Sequence, residues 1–356
     1  MFKELNIKSK INGEYKVNFV TNVSNILNVF GNEKQYIFII DEKVNDLYPN
    51  LFETINDNQK ILISVSEQNK TIEYSQKIIR KLININFKKD NEIIAIGGGI
   101  TQDLVAFISS ILFRGIRWRF IPTTLLSQCD SCIGSKSSIN FDSFKNLLGT
   151  FNPPYEIYLA PLFLETLKEG EIRSGIGEML HYFFSEGYDL AENLINDLDS
   201  LLTERNNLVY YIHNSLRIKK RIIELDEFDS SVRHIFNYGH TFGHAIEALT
   251  KYKIPHGQAI SIGMDLANFI SFKKGILSKN DFNKMHYLLK KNILAFKINK
   301  SNIDLYCDFL SKDKKNKKNK LGCILASQPG NLKKYFLEID DNFKQTLMEY
   351  SSKYGI

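Results

Sequence analysis

The chain has 356 residues, with 46 Lys and Arg against 40 Asp and Glu, a formal net charge of +6. That length suits two domains or one large one, and 43% hydrophobic residues build an ordinary core. The mild positive charge suits an anionic small molecule and does not require nucleic acid. No window reaches the roughly 18 uninterrupted apolar residues of a membrane span. The start, Met1-Phe-Lys-Glu-Leu-Asn-Ile-Lys8, is too polar for a secretory signal. Four cysteines in so long a chain argue for a reducing, cytoplasmic setting. Cys129 and Cys132 form a Cys-x-x-Cys pair with no second such pair, and read as buried thiols.

Residues 1–35 signal weakly, with alternation around Tyr15–Val20 that suggests a strand. Tyr36–Ile40 is a short apolar run ending in Asp41, a buried strand with an acid at its carboxyl end. Ile61–Val65 repeats the pattern and ends in Ser66-Glu67-Gln-Asn-Lys70; Thr71–Leu82 then has helical spacing. Ile93–Ile96 is a third strand running into Gly97-Gly98-Gly99-Ile-Thr-Gln-Asp103, and Leu104–Phe113 follows as a helix. Ile116–Ile121 and Pro122-Thr123-Thr124 give another strand end with two hydroxyls. Strands alternating with helices imply a parallel sheet, whose ligands bind at the carboxyl ends of the strands. The glycine run suits a pyrophosphate at a helix start. It is not the G-x-G-x-x-G fingerprint, and a tight turn explains it as well.

Residues 127–151 hold Asp130, Lys136, Asn140, Lys145, Asn146 and Gly149 among small residues, which reads as an anion-binding loop. Pro153-Pro154 marks a domain boundary by composition. From Leu162 the pattern becomes helical. Thr166–Phe184 carries Glu178-Met-Leu-His181, and Leu208–Leu225 is a basic helix with Arg217, Lys219, Lys220 and Arg221. Helices continue through about Leu294, and Lys312–Lys320 is a lysine and asparagine run suited to a solvated loop.

Three of the seven histidines cluster at Asn237-Tyr-Gly-His240-Thr-Phe-Gly-His244-Ala-Ile-Glu247 and Pro255-His256-Gly257. His240 and His244 share a helix face, and His256 follows a proline at a helix-to-helix turn. A metal site and an ordinary amphipathic helix both accommodate that spacing.

Taken together, these segments resemble the 3-dehydroquinate synthases and related sugar-phosphate cyclases over residues 35–330. The likeness rests on Gly97–Asp103, Arg114-Gly115, Ile121–Leu126, Asp130-Ser131, Lys136–Asn140, Lys145-Asn146 and Gly177-Glu178. Arg233-x-x-x-Asn237, Gly239–Glu247, His256-Gly257 and Asp313-Lys-Lys315 complete it. The resemblance implies an N-terminal Rossmann-like parallel-sheet α/β domain over 1–160. An all-helical metal- and substrate-binding domain over 161–356 would follow, with the active site in the cleft between the two domains and the chain forming a homodimer.

It further implies a divalent metal, zinc or else cobalt, held by Glu178, His240 and His256. NAD would contact Asp41, Glu67, Lys70, Gly98, Gly99, Asp103, Thr123, Thr124, Lys136, Lys145, Phe163 and Thr166. The phosphate of an anionic sugar-phosphate substrate would meet Lys136, Asn146, Asn237, His244 and one of Lys314 and Lys315, with Arg114 supplied by the second subunit. Lys219 and Arg233 would face the substrate's carboxylate and hydroxyls, with Asp130 nearby.

Two departures qualify the likeness. The family typically carries Lys where this chain has His181, and Gly-Gly-Lys-Thr where it has Gly134-Ser-Lys-Ser137. His181 opens the alternative of another sugar phosphate, sedoheptulose 7-phosphate or glucose 6-phosphate; Arg233 favours a carboxylate. A polyol dehydrogenase of similar plan would not need the phosphate-loop lysines. A nucleic-acid protein is disfavoured by balanced charge and the lack of interleaved aromatics.

Overall fold

The computed structural model describes residues 4–142, 144–293, 302–312, 316–317 and 320–354. It divides into two compact units, Met1–Leu167 with Lys219–Phe228, and Lys168–Ile218 with Asp229–Ile356.

In the first unit the order is β1 (Glu4–Ser9), β2 (Gly13–Phe19), α1 (Val23–Gly31), β3 (Tyr36–Asp41), α2 (Glu42–Leu47), β4 (Lys60–Ile63) and α3 (Ile72–Asn84). It continues with β5 (Glu92–Gly97), α4 (Gly99–Ile111), β6 (Trp118–Pro122), β7 (Lys136–Phe141), β8 (Phe144–Phe151) and β9 (Glu156–Leu159). Seven strands form one sheet in the order β1-β2-β9-β6-β5-β3-β4. All neighbours are parallel except the edge pair β1 and β2. Strands covered on both faces should be continuously apolar. Accordingly Tyr36–Ile40 is buried at every position, and Phe38, Ile40, Ile94 and Ile96 join Leu27 and Phe163 in one cluster.

Two sequence expectations change here. Residues 127–151 are not a loop: Ser127–Ser131 is a π-helical turn, and β7 and β8 form an antiparallel hairpin. The strands were hidden by the lysines, asparagines and glycine that β strands usually disfavour. Pro153-Pro154 is no boundary either, because β9 follows it and pairs with β2 and β6. Prolines there lie just ahead of a strand, where no ladder hydrogen bond is lost.

The second unit contains α5 (Glu169–Glu186), α6 (Asp189–Asn196), α7 (Leu198–Thr203), the start of α8 (Leu208–Leu225), α9 (His240–Leu249), α10 (His256–Lys273) and α11 (Lys279–Asn292). It closes with α12 (Ile303–Ser311), β10 (Leu321–Gln328), β11 (Asn331–Leu337) and α13 (Asp341–Tyr354). It is helical, with β10–β11 as an antiparallel hairpin that the apolar spacing did not reveal. The centre is α10, buried without a break from Gly257 to Ser271. A helix buried all round must satisfy its polar groups internally. Asp265 accepts from the Tyr350 hydroxyl (2.6 Å) and lies 2.8 Å from His286 Nδ1. Asn268 accepts from the Tyr238 hydroxyl at 2.6 Å.

Candidate functional site

The chemistry-bearing residues fall into two groups, one in each unit. In the first unit they gather at the carboxyl ends of the strands. Asp41 ends β3 and caps α2, its Oδ1 accepting from Lys43 N at 3.0 Å. Burial raises its carboxyl above the usual range, against the pull of the Lys43 amide and charge. After β5, Gly98 is the N-cap of α4 and makes no side-chain cap hydrogen bond. An α-helix leaves its first amides without partners inside the helix, so this start, at the positive end of the dipole, suits a pyrophosphate. Thr123 N is fixed to the Gly97 carbonyl at 2.9 Å, and the Thr124 hydroxyl pairs with that of Ser127 at 2.8 Å.

Beside this start lies a charged cluster. Lys70 Nζ is 2.5 Å from Asp103 Oδ2 and donates to Asn146 Oδ1 at 2.7 Å. Asp103 Oδ1 accepts from Ser138 N at 2.9 Å. Burial pushes the Asp103 carboxyl up, opposed by the Lys70 ammonium. Lys145 Nζ lies 3.3 Å from Glu67 Oε1, which also accepts from Asn140 Nδ2 at 2.9 Å. Burial favours neutral Glu67, but Asn140, Lys145 and Lys70 outweigh it and hold the carboxyl below its usual range. Two acids from distant sequence, Glu67 and Asp103, thus stand beside the lysines of this segment and of the turn after β4. Asn146, expected at a phosphate, has its Oδ1 occupied by Lys70 and Ser138 (2.8 Å). Asn140 is a residue whose part spacing had not revealed. It ties Glu67 to the Asn146 amide (2.9 Å) and so joins the hairpin to the turn after β4.

Elsewhere in this unit Lys219 Nζ donates to the Asp130 carbonyl (2.7 Å) and Oδ1 (2.8 Å). Thr166 Oγ1 lies 3.0 Å from the Tyr48 hydroxyl, and buried Phe163 packs edge-on to the Tyr48 ring at 5.2 Å. Lys136 is exposed at the start of β7, and Arg114 is exposed with φ 65°. Lys314 and Lys315 lie outside the described residues.

The second unit holds the histidines. Glu178 comes from the middle of α5 and is 1% exposed. Its Oε1 lies 3.1 Å from His256 Nε2 and 3.8 Å from His240 Nε2, yet it is buried with no hydrogen bond of sound geometry. His256 is the first residue of α10, after Pro255, and His240 the first of α9. Their meeting depends on glycine. A Cβ on Gly257 would fall 1.7 Å from the Ser174 carbonyl, and one on Gly177 would fall 2.0 Å from the Gly257 carbonyl. With both side chains missing, α5 and α10 touch backbone to backbone, and the adjacent residues Glu178 and His256 are brought within reach.

Both imidazoles have Nδ1 on an acceptor. His240 Nδ1 lies 3.1 Å from the Tyr238 carbonyl, and His256 Nδ1 lies 3.2 Å from Glu247 Oε2. Neither partner can donate, so Nδ1 carries a hydrogen on each ring, and Nε2 is the nitrogen left to face a cation. Burial disfavours a charged His256 ring, but Glu178 and Glu247 outweigh it and raise its pKa well above the usual value. His244 is exposed, its ring 5.4 Å from that of His240 and stacked 5.7 Å from that of His256. The ligand atoms of His240, His244 and His256 lie within 4.8 Å of one another. Two imidazoles with a carboxylate make a donor set that suits a borderline divalent cation and leaves positions open. A buried carboxylate oxygen without a hydrogen bond fits a cation there better than it fits a structural role.

His181 is buried a turn beyond Glu178, its Nδ1 3.1 Å from the Glu178 carbonyl and its ring 5.2 Å from that of His240. Arg233 is buried in the 3₁₀ turn Val232–Asn237 that leads to α9, and Asn237 ends that turn, donating to the His234 carbonyl at 3.1 Å.

Comparison with known proteins adds an independent observation. The family profile for the 3-dehydroquinate synthase N-terminal region matches residues 60–174, and that for the C-terminal region matches residues 175–316. A 3-dehydroquinate synthase of Clostridium tetani is 37% identical over 318 residues, 86% of this chain and 84% of that protein. One from Streptococcus pyogenes serotype M6 is 35% identical over 339 residues, 93% of this chain and 94% of that protein. Among solved structures, 2-deoxy-scyllo-inosose synthase in complex with carbaglucose-6-phosphate, NAD+ and Co2+ shares the fold. It superposes with a TM-score of 0.86 at 24% identity, over 98% of this chain and 100% of that one.

Proposed function

Because the chain belongs to the 3-dehydroquinate synthase family, we propose that it is a 3-dehydroquinate synthase, a lyase that cyclises a seven-carbon sugar acid phosphate with release of phosphate. This reading assigns it to aromatic amino acid biosynthesis. The observation that carries it is the convergence of His240 and His256 Nε2 on the buried Oε1 of Glu178.

Glu178, His240 and His256 would hold a divalent cation, zinc or cobalt, which would polarise a substrate ketone. Bound NAD would supply reversible hydride transfer at a secondary alcohol, which leaves the overall reaction redox-neutral. The amides at Gly98 and Gly99 would hold the cofactor's pyrophosphate, and Asp41 would accept from its hydroxyls. Thr123, Thr124, Phe163 and Thr166 shape the rest of that site. Lys70, Lys145, Glu67 and Asp103 neutralise one another and keep the cradle rigid, as preorganised catalysis requires.

On the substrate side, Arg233 is the guanidinium for a carboxylate, a planar donor fork matched to two oxygens. Lys136 and Asn237 hold the leaving phosphate, with Lys314 or Lys315. His244, exposed and one helical turn from His240, carries the proton exchanged beside that phosphate. Lys219, fixed by Asp130, donates to a substrate hydroxyl. Once phosphate has left by β-elimination, the opened ring closes by an intramolecular aldol step. We read the assembly as a cytoplasmic homodimer in which Arg114 of each subunit completes the other's phosphate site. Among the described residues no helix is long and apolar enough to cross a membrane.

A second reading, a cyclase of a different sugar phosphate, is favoured by one observation, the imidazole of His181 beside His240. A substrate panel scored for phosphate release separates the two. With NAD and zinc, the seven-carbon acid phosphate should react and sedoheptulose 7-phosphate and glucose 6-phosphate should not. The opposite pattern would replace the proposed activity by the second. Stoichiometric NAD reduction by a simple polyol, with no phosphate release, would replace both by a dehydrogenase.

A further inference from the structure

We infer that Glu247 is a positioning residue of the metal site: its carboxylate fixes the tautomer and orientation in which His256 presents Nε2 beside Glu178. The inference rests on the reading of Glu178, His240 and His256 as the ligand set.

The two imidazoles are oriented by different means. His240 Nδ1 faces a backbone acceptor, the Tyr238 carbonyl, which no substitution removes. That carbonyl is itself steadied, because the Tyr238 hydroxyl donates to Asn268 at 2.6 Å in the core of the unit. His256 has a side-chain acceptor instead, Glu247 Oε2 at 3.2 Å. The His256 side chain is 34% exposed and that of Glu247 only 13%. The better-buried partner therefore restrains the more exposed ring. Without it, the ring is free to rotate about its Cβ–Cγ bond and to place its hydrogen on either nitrogen, and only one of those forms offers Nε2 to a cation.

Glu247 reaches His256 from α9, seven residues after His240, and so on nearly the same helix face two turns along. One helix thus supplies a ligand at its first residue and orients a second ligand from its third turn. Carboxylates on the outer nitrogen of a ligating imidazole both align it and raise its basicity, and their loss typically weakens metal binding about 10–100-fold.

The test uses the full chain with zinc. Dissociation constants are measured by competition with a chromophoric chelator, alongside melting temperatures of the chelator-stripped proteins, for wild type, E247A, E247Q and H256A. E247A should weaken zinc binding by about 10–100-fold while the stripped protein melts as wild type does. E247Q should recover most of the loss, since its amide oxygen still accepts from Nδ1. Wild-type affinity in E247A, together with loss of zinc in H256A, overturns the inference and leaves the ligand set standing. Wild-type affinity in H256A removes the ligand set, and the inference with it. A loss in E247Q equal to that in E247A also overturns it, because the hydrogen bond would then not be the cause. If E247A fails to fold, E247D replaces it: its shorter side chain withdraws the acceptor and should weaken zinc where E247Q does not. Equal affinities in that pair overturn the inference.

Discussion

A carboxylate as buried as Glu178 is costly unless opposite charge shares its site, and a divalent cation between it and the imidazole Nε2 atoms, 3.1 and 3.8 Å away, would supply that charge. The cysteines stand in the opposite condition. Cys129 and Cys132 are fully buried and not joined to each other, and burial pushes the Cys132 thiol up to about 12. A thiol with a raised value stays neutral and unreactive at ordinary pH. Iodoacetamide at pH 8 should therefore leave both unlabelled in native protein while labelling all four cysteines after denaturation. Rapid native labelling of Cys132 would reopen a redox or metal role for the pair. The same shift has a stability consequence. The unfolded thiol ionises from about pH 8.5, so the contribution of the neutral buried form is complete below that pH and declines as pH rises towards 12. At this scale the histidine cluster was legible in the sequence because its members lie close together along the chain. The partner of His256 was less so: Glu247 stands on the right face of α9, but its direction towards α10 depends on how those helices pack.

Among elements, α10 decides the second unit, and its contacts depend on missing side chains. Gly257 meets the Ser174 carbonyl and Gly177 meets the Gly257 carbonyl, so neither crossing has room for a methyl group. Gly263 repeats the arrangement against α9, where a Cβ would fall 2.1 Å from the Gly239 carbonyl. Overpacking of this kind commonly costs about 1–3 kcal/mol, and more where the obstacle is backbone. Gly257→Ala should accordingly lose at least about 3 kcal/mol in urea unfolding and weaken zinc binding, because pushing α10 from α5 parts His256 from Glu178. Gly170→Ala, in the same helix as Gly177 but with nothing within 4 Å of its Cβ, is the control. It should be neutral or stabilising by up to about 1 kcal/mol. Equal effects of the two would show that helix propensity, and not the crossing, governs these positions. Strands and helices of the first unit were readable from apolar runs of the right length. The hairpins β7–β8 and β10–β11 were not: the first is rich in lysine, serine and asparagine, and the second runs apolar at six successive buried positions from Leu321 to Ala326. A continuous apolar run does not distinguish a strand from a buried helix.

At the scale of the whole molecule, the chain order does not follow the division into units. Lys219–Phe228 belongs with the first unit although it follows the start of the second by some fifty residues. No local signal reports this return, because α8 runs unbroken from Leu208 to Leu225 and its periodicity is the same on both sides of the change. The reason lies in what the segment supplies. Lys219 fixes Asp130, and buried Glu227 accepts from the Ser9 hydroxyl at 2.8 Å, from the Lys10 amide at 2.7 Å and from the Ser135 hydroxyl. One carboxylate thus joins the end of β1 to the turn that precedes β7. Removing it leaves buried donors without their acceptor, which costs about 1–3 kcal/mol for each group that water cannot reach. Glu227→Ala should lower the urea-unfolding free energy of the full chain by about 3 kcal/mol. Glu227→Gln, which keeps one accepting oxygen and turns the other into a donor, should lose less. The same variants should spare zinc affinity, since Glu178, His240 and His256 belong to the other unit. A Glu227→Ala protein as stable as wild type would mean that the return of this segment rests on its apolar contacts, such as the edge-on pair Phe151 and Phe228 at 5.1 Å, and not on the buried carboxylate.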